Sequence, residues 1–188
     1  MVIMRIYLAG PDVFLPHADA MAAEKRRLCA LHGHDGVFPT DPSPGPDADA
    51  ADKSWQAIYR RNESLIRACD ALIANLTPFR GVSADAGTVY ELGFARALGL
   101  KVLGYSNAAA DFITRTRQLG GATAQRADGR WTDAEGLAIE DHGLADNLMI
   151  EGGIRAAGGV LVRRDVPAAS RWTDVAGFED CLRALRPA

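Results

Sequence analysis

Short, almost wholly apolar segments alternate along this chain with longer segments in which apolar residues recur at helical spacing. The apolar segments are aliphatic or β-branched and stop at turn residues, as Ile3–Ala9 stops at Gly10. Such segments predict buried strands, and each connection is long enough for a helix. Alternation of this kind is typical of a parallel sheet with helices on both faces. The predicted strands are residues 3–9, 36–39, 70–76, 101–105 and 159–162, and the predicted helices are residues 16–33, 51–68, 85–98, 144–157 and 176–185.

The 188 residues are predicted to form one domain, because neither an internal repeat nor a low-complexity linker divides them. We expect an α/β fold, a single-domain flavodoxin-like or Rossmann-like sandwich with a five-stranded parallel sheet flanked by helices. Residues 107–140 fit this pattern poorly. They are polar and rich in glycine, with only a short helix expected near residues 110–118, and we interpret them as an excursion from the domain.

Charge and composition argue against several classes of protein. Lys and Arg number 21 against 24 Asp and Glu, and the net charge of −3 is unlike that of a nucleic-acid-binding protein. No apolar run approaches the roughly 20 residues of a membrane span, and the first residues do not resemble a signal peptide. We therefore expect a cytoplasmic protein that binds neither nucleic acid nor membranes.

The chain lacks the motifs of the common cofactor and metal sites. No Gly-x-Gly-x-x-Gly follows the first predicted strand, and no Gly-Lys-Ser/Thr ends a phosphate-binding loop. Cys29, Cys69 and Cys181 are far apart and form no Cys-x-x-Cys pair, which argues against zinc and against a disulfide framework. We expect no cofactor and no metal ion.

Polar residues gather where the predicted strands end. In open α/β sheets the ligand binds outside the carboxyl ends of the strands, at the point where the strand order reverses. A proline-rich loop over residues 40–47 follows the second strand, and we interpret it as a lid or a substrate-facing segment. The candidate residues at the strand ends are Tyr7, Gly10, Asp12 and Asp41.

The densest group of candidate functional residues follows the third strand. Asp85 precedes a predicted helix, where a carboxylate can accept backbone N–H bonds, so it is either a helix cap or a binding residue. Glu91 follows six residues later, and both side chains can lie on one helical face. Glu91 has apolar neighbours and needs a hydrogen-bond partner, for which the Tyr7 hydroxyl is a natural candidate. Gly87 and Gly93 each destabilise a helix by about 1 kcal/mol relative to Ala, which suggests the close approach of another group.

Five segments of the chain occur in an order that is specific to one enzyme family. They are Tyr7–Phe14 (YLAGPDVF), Pro39–Asp41 (PTD), Cys69–Gly81 (CDALIANLTPFRG), Asp85–Gly93 (DAGTVYELG) and Asp146–Met149 (DNLM). In this order they resemble the nucleoside 2-deoxyribosyltransferases. The resemblance covers residues 3–105 and 144–150.

The resemblance implies a two-step exchange of the base of a 2′-deoxynucleoside. Glu91 would attack C1′ and form a deoxyribosyl-enzyme ester, by the chemistry of retaining glycosidases. Asp70 would handle the proton of the base, although it can also be read as a residue of the turn into the third strand. Tyr7 would orient Glu91, and Asp85 would hold the 5′-hydroxyl group of the sugar.

The remaining candidates are assigned to substrate binding, with Phe14 expected to face the base. Asn147 and Met149 resemble residues that this family contributes to the pocket of an adjacent subunit. The resemblance therefore implies a homo-oligomer, a dimer or larger, with shared active sites. The expected partners are 2′-deoxynucleosides and free bases. The full set of substrate-binding candidates is Gly10, Asp12, Phe14, Asp41, Asp85, Gly87, Asn147 and Met149.

Three alternatives stay open at this point. Nucleoside 5′-monophosphate N-glycosidases of the same superfamily have a small hydroxyl residue where Asp85 falls, and a carboxylate there would repel a phosphate, so Asp85 favours nucleosides. Hydrolysis would use the same ester with water as acceptor, depending on whether the loop over residues 40–50 excludes water. A non-catalytic nucleoside sensor of the same fold would need neither a nucleophile nor an orienting Tyr.

Overall fold

The computed structural model describes residues 2–44, 52–119 and 121–185. These ranges contain strands and α-helices in alternation, with a turn of 3-10 helix at Pro11–Phe14. The strands are β1 (Arg5–Ala9), β2 (Asp35–Val37), β3 (Ala71–Asn75), β4 (Lys101–Ser106), β5 (Ala124–Gln125), β6 (Trp131–Thr132), β7 (Ala138–Ile139) and β8 (Leu161–Arg163). The helices are α1 (Ala18–Leu31), α2 (Trp55–Arg67), α3 (Ala86–Ala97), α4 (Phe112–Leu119), α5 (Leu148–Ala156) and α6 (Ala176–Ala184).

The main sheet is parallel throughout, with the strand order β2-β1-β3-β4-β8. Tyr7 of β1 pairs with Val37 on one side and Leu72 on the other. Numbered within this sheet, the order is 2-1-3-4-5, which is the flavodoxin-like order, and it reverses between β1 and β3. The predicted α/β fold with a five-stranded parallel sheet is confirmed, and the ligand crevice is expected at the carboxyl ends of β1 and β3.

Each strand contributes alternate side chains to two cores, because neighbouring residues of a strand point to opposite faces of the sheet. Ile6 and Leu8 pack in the core that contains residues of α1 and α6. Tyr7 and Leu72 belong to the other core, which is built with residues of α2, α3 and α5. This alternation places Tyr7 on the same face of the sheet as Glu91, which α3 carries.

Residues 107–140 contain more regular structure than the sequence indicated. The short helix expected near residues 110–118 is present as α4. The strands β5, β6 and β7 then form a small antiparallel sheet that was not predicted. Each of these strands is two residues long, which is too short for any alternation of apolar and polar residues to show in the sequence. The Arg117 guanidinium lies 4.0 Å above the Trp131 ring and connects α4 to this small sheet.

Some helices begin or end at other residues than the apolar pattern predicts, because local hydrogen bonds determine where they start and stop. The helix expected from residue 144 begins at Leu148, because Asn147 caps it and its side chain accepts a bond from the backbone N–H of Met149. Residues 45–51, which include the end of the proline-rich loop over residues 40–47, lie outside the described residues. Among the helices of the described ranges, none is both long enough and apolar enough to cross a bilayer.

Candidate active site

Glu91 and Tyr7 form the centre of the site. The Tyr7 hydroxyl donates a hydrogen bond to Glu91 Oε1 at 2.7 Å, so the predicted contact between these residues is present. Tyr7 is fully buried in a central strand, and it can therefore hold the carboxylate in one orientation. Within the described residues Glu91 Oε2 accepts no hydrogen bond, which leaves this oxygen for a reacting group.

The surroundings of Glu91 raise the pKa of its carboxyl into the neutral pH range. Burial raises the pKa of Glu91 to about 7 against the opposing hydrogen bonds from Tyr7 and Asn62, and the charge of Asp85 adds to the rise. Burial and the neighbouring Glu91 charge also raise the pKa of Tyr7, so its hydroxyl stays protonated and can donate. A carboxylate with so perturbed a pKa in a crevice is a common feature of functional sites.

Asp85 caps the helix that carries Glu91. Its Oδ2 accepts bonds from the backbone N–H of Thr88 at 2.9 Å and from the Thr88 hydroxyl at 3.0 Å. In the described part of the chain Oδ1 has no hydrogen-bond partner, so Asp85 can cap the helix and bind a ligand at once. A Cβ on Gly87 would lie 3.1 Å from Asp85 Oδ2, so a side chain there would crowd the cap. A Cβ on Gly93 would meet nothing within 4 Å among the described residues, so no group of this chain approaches that glycine closely.

Asp12 does not face the crevice. It is 1% exposed, and its Oδ2 accepts a bond from Lys25 Nζ at 2.8 Å, while its Oδ1 accepts one from Asn75 Nδ2 at 3.2 Å. A Cβ on Gly10 would lie 2.3 Å from Asp12 Oδ2, so the buried pair requires glycine at this position. The expected substrate-binding role of Asp12 is therefore corrected to a structural one, because its carboxylate is bonded inside the protein, whereas substrate binding by Gly10 stays a prediction.

Asp41 closes the turn that follows β2. Its Oδ2 accepts a bond from the backbone N–H of Phe38 at 2.9 Å, and its own N–H donates to the Phe38 carbonyl at 2.9 Å. Its Oδ1 pairs with the Arg26 guanidinium. Both oxygens are thus engaged within the fold, so Asp41 is a turn residue here, and its expected substrate-binding role stays a prediction.

Phe14 lies on an open aromatic surface beyond β1. Its side chain is 56% exposed, and its ring stacks on Phe79 with the centroids 5.5 Å apart and the planes inclined by 14°. The Arg80 guanidinium lies 5.2 Å from the Phe14 centroid and 4.6 Å from that of Phe79. Trp172 meets Phe79 edge to face at 5.9 Å. A flat ring such as a nucleobase can stack on such a surface, and only Phe14 of this group was predicted.

The comparison with known proteins decides the family. A model of the nucleoside 2-deoxyribosyltransferase family matches residues 6–149. The chain belongs to this family. It is 33% identical over 168 residues to an uncharacterized protein of Schizosaccharomyces pombe, covering 83% of this chain and 79% of that relative.

Solved structures agree with this membership of the deoxyribosyltransferase family. A 2-desoxiribosyltransferase from Leishmania mexicana is 31% identical, with a TM-score of 0.64 over 97% of this chain and 99% of that one. A conserved protein from Enterococcus faecalis V583 shares the fold at 22% identity, with a TM-score of 0.53 over 97% of this chain and 98% of that one. The chain is thus a member of a family of enzymes that handle nucleoside sugars.

Asp70 does not reach the centre of the candidate site. It precedes β3, at the amino end of the sheet, whereas ligands bind beyond the carboxyl ends. Its Oδ2 accepts a bond from the backbone N–H of Arg5 at 2.8 Å, and its own N–H donates to the Arg5 carbonyl at 2.8 Å. The residue is exposed and fastens the start of β3 to the start of β1. The expected proton-transfer role is therefore corrected to that of a turn residue, the alternative named from the sequence.

Asn147 and Met149 lie at the start of α5, and their side chains differ in what they offer a neighbouring copy. The Asn147 amide donates to Glu140 Oε1 at 2.7 Å and accepts from the Met149 N–H at 3.0 Å, so it is engaged within its own chain. The Met149 side chain is 74% exposed. Asp146, next to them, is buried and accepts a bond from the Ala84 N–H at 2.8 Å, which fastens the segment before α3 to the start of α5.

Asn62 of α2 contacts the central pair and was not predicted. Its Nδ2 lies 3.4 Å from Glu91 Oε1. Nothing in the spacing of α2 marks this residue, because the contact joins two helices that are separated by β3 in sequence. No group of three or more His, Cys, Asp or Glu side chains within residues 2–44, 52–119 and 121–185 is placed to hold a metal ion.

Proposed function

We propose that this protein exchanges the base of a 2′-deoxynucleoside in two displacements through a deoxyribosyl ester of Glu91. The observation that carries the proposal is the half-buried Glu91 carboxylate, which Tyr7 holds through Oε1 while Oε2 accepts no bond from the described residues. This carboxylate lies on α3, which follows β3, one of the two strands between which the strand order reverses and ligands are expected to bind. The chain also belongs to the nucleoside 2-deoxyribosyltransferase family. A nucleophile held in one orientation by a fixed donor is the arrangement that covalent catalysis needs.

The two displacements use one carbon atom of the sugar. In the first, ionised Glu91 Oε2 bonds to C1′ while the bond from C1′ to the base nitrogen breaks, and its electron pair leaves with the base. In the second, a nitrogen of the incoming base bonds to C1′ and the ester bond breaks, which returns the carboxylate. The departing base takes up one proton from solvent, and the incoming base releases one to it. Both transition states carry positive charge on the sugar, which a neighbouring carboxylate stabilises. This mechanism gives Asp70 no part in proton transfer.

The proposal also assigns the parts of the substrate to other residues. Oδ1 of Asp85 accepts a hydrogen bond from the 5′-hydroxyl group, and the open stack of Phe14 on Phe79 takes the base. We further propose that the protein is a homo-oligomer in which Met149, whose side chain is 74% exposed, reaches the site of a neighbouring copy. Asn147 supports that residue by capping α5.

Base exchange itself tests the proposed function. We expect that incubation with thymidine or deoxyinosine and a panel of free bases yields new 2′-deoxynucleosides, separated and quantified by liquid chromatography. New nucleosides should depend on added base. Release of free base and deoxyribose in the same amount with and without an acceptor base would instead make the protein a hydrolase and contradict the transfer.

The rate of the first displacement is expected to fall in acid. Glu91 attacks only when ionised, and burial raises its pKa to about 7. The kcat/KM for deoxyinosine should therefore be level above this pH and fall about tenfold for each pH unit below it. A pH series from 5 to 9 measures this, and a kcat/KM that stays constant or rises towards pH 5 would contradict the role of Glu91.

Asp85→Ser is expected to change the choice of substrate. Serine also caps helices, so α3 should stay intact, while the lost bond to the 5′-hydroxyl group should lower kcat/KM for deoxyinosine by roughly 10- to 100-fold. The loss of the negative charge should favour a nucleoside 5′-monophosphate, whose phosphate the carboxylate repels. Steady-state rates with both substrates measure the two effects.

A substrate without the 5′-hydroxyl group serves as the control for this variant. The wild-type protein should lose rate with a 2′,5′-dideoxynucleoside, whereas Asp85→Ser should treat it like the parent nucleoside, because the variant has no bond left to lose. Equal losses of rate in both proteins would show that Asp85 does not bind the 5′-hydroxyl group.

A further inference from the structure

The side-chain amide of Asn62 lies between two groups that compete for its N–H donors. In one orientation Nδ2 donates to Glu91 Oε1 at 3.4 Å. When the amide is turned by 180°, the nitrogen donates to the Pro39 carbonyl at 3.1 Å and to the Ile58 carbonyl at 3.3 Å. One amide nitrogen cannot face both sides, so the orientation depends on which acceptor is stronger.

The charge of Glu91 determines the strength of one of these acceptors. An ionised carboxylate only accepts hydrogen bonds, so it requires the nitrogen of Asn62 and repels its oxygen. A protonated carboxyl can itself donate to the amide oxygen, and an esterified one has lost its charge. In both neutral forms the carbonyls of Pro39 and Ile58 become the better partners of the nitrogen.

The groups around Glu91 come from three structural elements. Tyr7 of β1 donates to the same Oε1, and Asp85 at the start of α3 repels the charged form. Beside Tyr7 lie Arg61 of α2, which attracts negative charge, and Cys69, whose thiolate form would repel it. Asn62 differs from these groups because it can turn to suit either state of the carboxyl.

We infer that Asn62 is a positioning residue whose amide turns from Glu91 to the Pro39 carbonyl when Glu91 passes from its charged to its protonated or esterified form. This inference rests on the proposed function for the esterified form. In the charged form the amide aligns the nucleophile. In the neutral forms it fastens α2 to the turn after β2, which Asp41 closes through Phe38.

This exchange of partners links the charge of Glu91 to the turn after β2. Pro39 is buried and lies in the turn after β2, so a bond to its carbonyl fixes that turn. The ester stage, in which the first base leaves and the second enters, is therefore the stage at which the turn after β2 is fastened to α2.

Nuclear magnetic resonance of the side-chain amide tests the turn without any turnover. We expect the Asn62 amide resonances of the substrate-free protein to shift between pH 5 and 9 with a midpoint near 7, the pKa of Glu91. In Glu91→Gln, whose side chain never ionises, the same resonances should stay constant over this range. Resonances that stay constant in the wild-type protein, or that titrate equally in Glu91→Gln, would overturn the inference.

Kinetics of Asn62→Leu provide the second measurement. Without the amide the charged form of Glu91 loses a donor, so the midpoint of the pH dependence of kcat/KM should rise by about one unit and the value of kcat/KM at pH 7 should fall roughly fivefold. Gln56→Leu removes an amide from an exposed position of the same helix and should leave both values unchanged. A lower rate with an unmoved midpoint would reduce Asn62 to a packing residue and contradict the inference.

These measurements separate the two proposals. If the Asn62 amide titrates but the protein exchanges no bases, the charge-dependent rotation of the amide stands and the transferase function is refuted. If the protein exchanges bases but the Asn62 amide does not titrate, the transferase function stands and the rotation of the amide is refuted.

Discussion

Glu91→Gln is expected to lower base exchange by at least about 10³-fold and at the same time to stabilise the fold at pH 8. Removal of a covalent nucleophile leaves only the slower direct displacement. The amide has nearly the shape of the carboxyl and still accepts the bond from Tyr7. Exchange rates by chromatography and urea unfolding followed by circular dichroism measure the two effects.

The gain in stability follows from the direction of the pKa shift. The pKa of Glu91 is about 7 in the folded protein and 4.5 ordinarily, so between these values the folded state binds more protons than the unfolded state. The free energy of unfolding therefore falls as pH rises from 4.5 to 7. Above that range the buried charge destabilises the fold by up to about 3 kcal/mol. Glu91→Gln should recover part of this free energy at pH 8 and much less at pH 5.

Glu63→Gln is the matched control for both effects. Glu63 lies on α2, and the bonds that it accepts from the hydroxyls of Tyr90 and Tyr59 lower its pKa. Its replacement should not stabilise the protein at pH 8, and base exchange should continue. A Glu91→Gln protein that keeps the wild-type exchange rate would remove Glu91 from the mechanism.

Lys25→Met is expected to lower the free energy of unfolding by about 3–5 kcal/mol, because it leaves the buried Asp12 carboxylate without its cation. Lys25 is 1% exposed, and its Nζ lies 2.8 Å from Asp12 Oδ2 and 5.4 Å from the ring centroids of both Tyr105 and Phe178. Among the described residues, only Asn75 would still donate to the carboxylate. Urea unfolding of the variant measures the loss.

Arg27→Met on the same helix is the control for this variant. Arg27 pairs with Glu24 at 2.7 Å, but its side chain is 55% exposed. Exposed pairs of this kind contribute about 0–1 kcal/mol. Equal losses in the free energy of unfolding of the two variants would show that the buried Asp12–Lys25 pair stabilises the fold no more than an exposed pair does.

The sequence predicted best where a regular pattern carried the information. Alternation of apolar strands and helices was enough for the parallel sheet, and the contact of Glu91 with Tyr7 followed from helical spacing and the need of a buried carboxylate for a donor. The small sheet of residues 124–139 escaped prediction because its strands are two residues long.

Contacts between distant segments were the information that the sequence lacked. Asp12 and Asp70 both lie next to strands of the sheet, yet Asp12 is bonded to Lys25 within the core and Asp70 to the backbone of Arg5 at the amino edge. Asn62 meets Glu91 only because α2 and α3 pack side by side. The direction of a side chain depends on such packing, which no local spacing shows.

Trapping of the ester tests the central proposal most directly. A 2′-fluoro-2′-deoxynucleoside should form the ester and release it slowly, because the fluorine destabilises the positive charge that develops on the sugar. Intact-protein and peptide mass spectrometry should then show one fluorodeoxyribosyl group on the peptide that contains Glu91, and none in Glu91→Gln. Turnover of the analogue without an adduct, or an adduct on another residue, would contradict the assignment of Glu91 as the nucleophile.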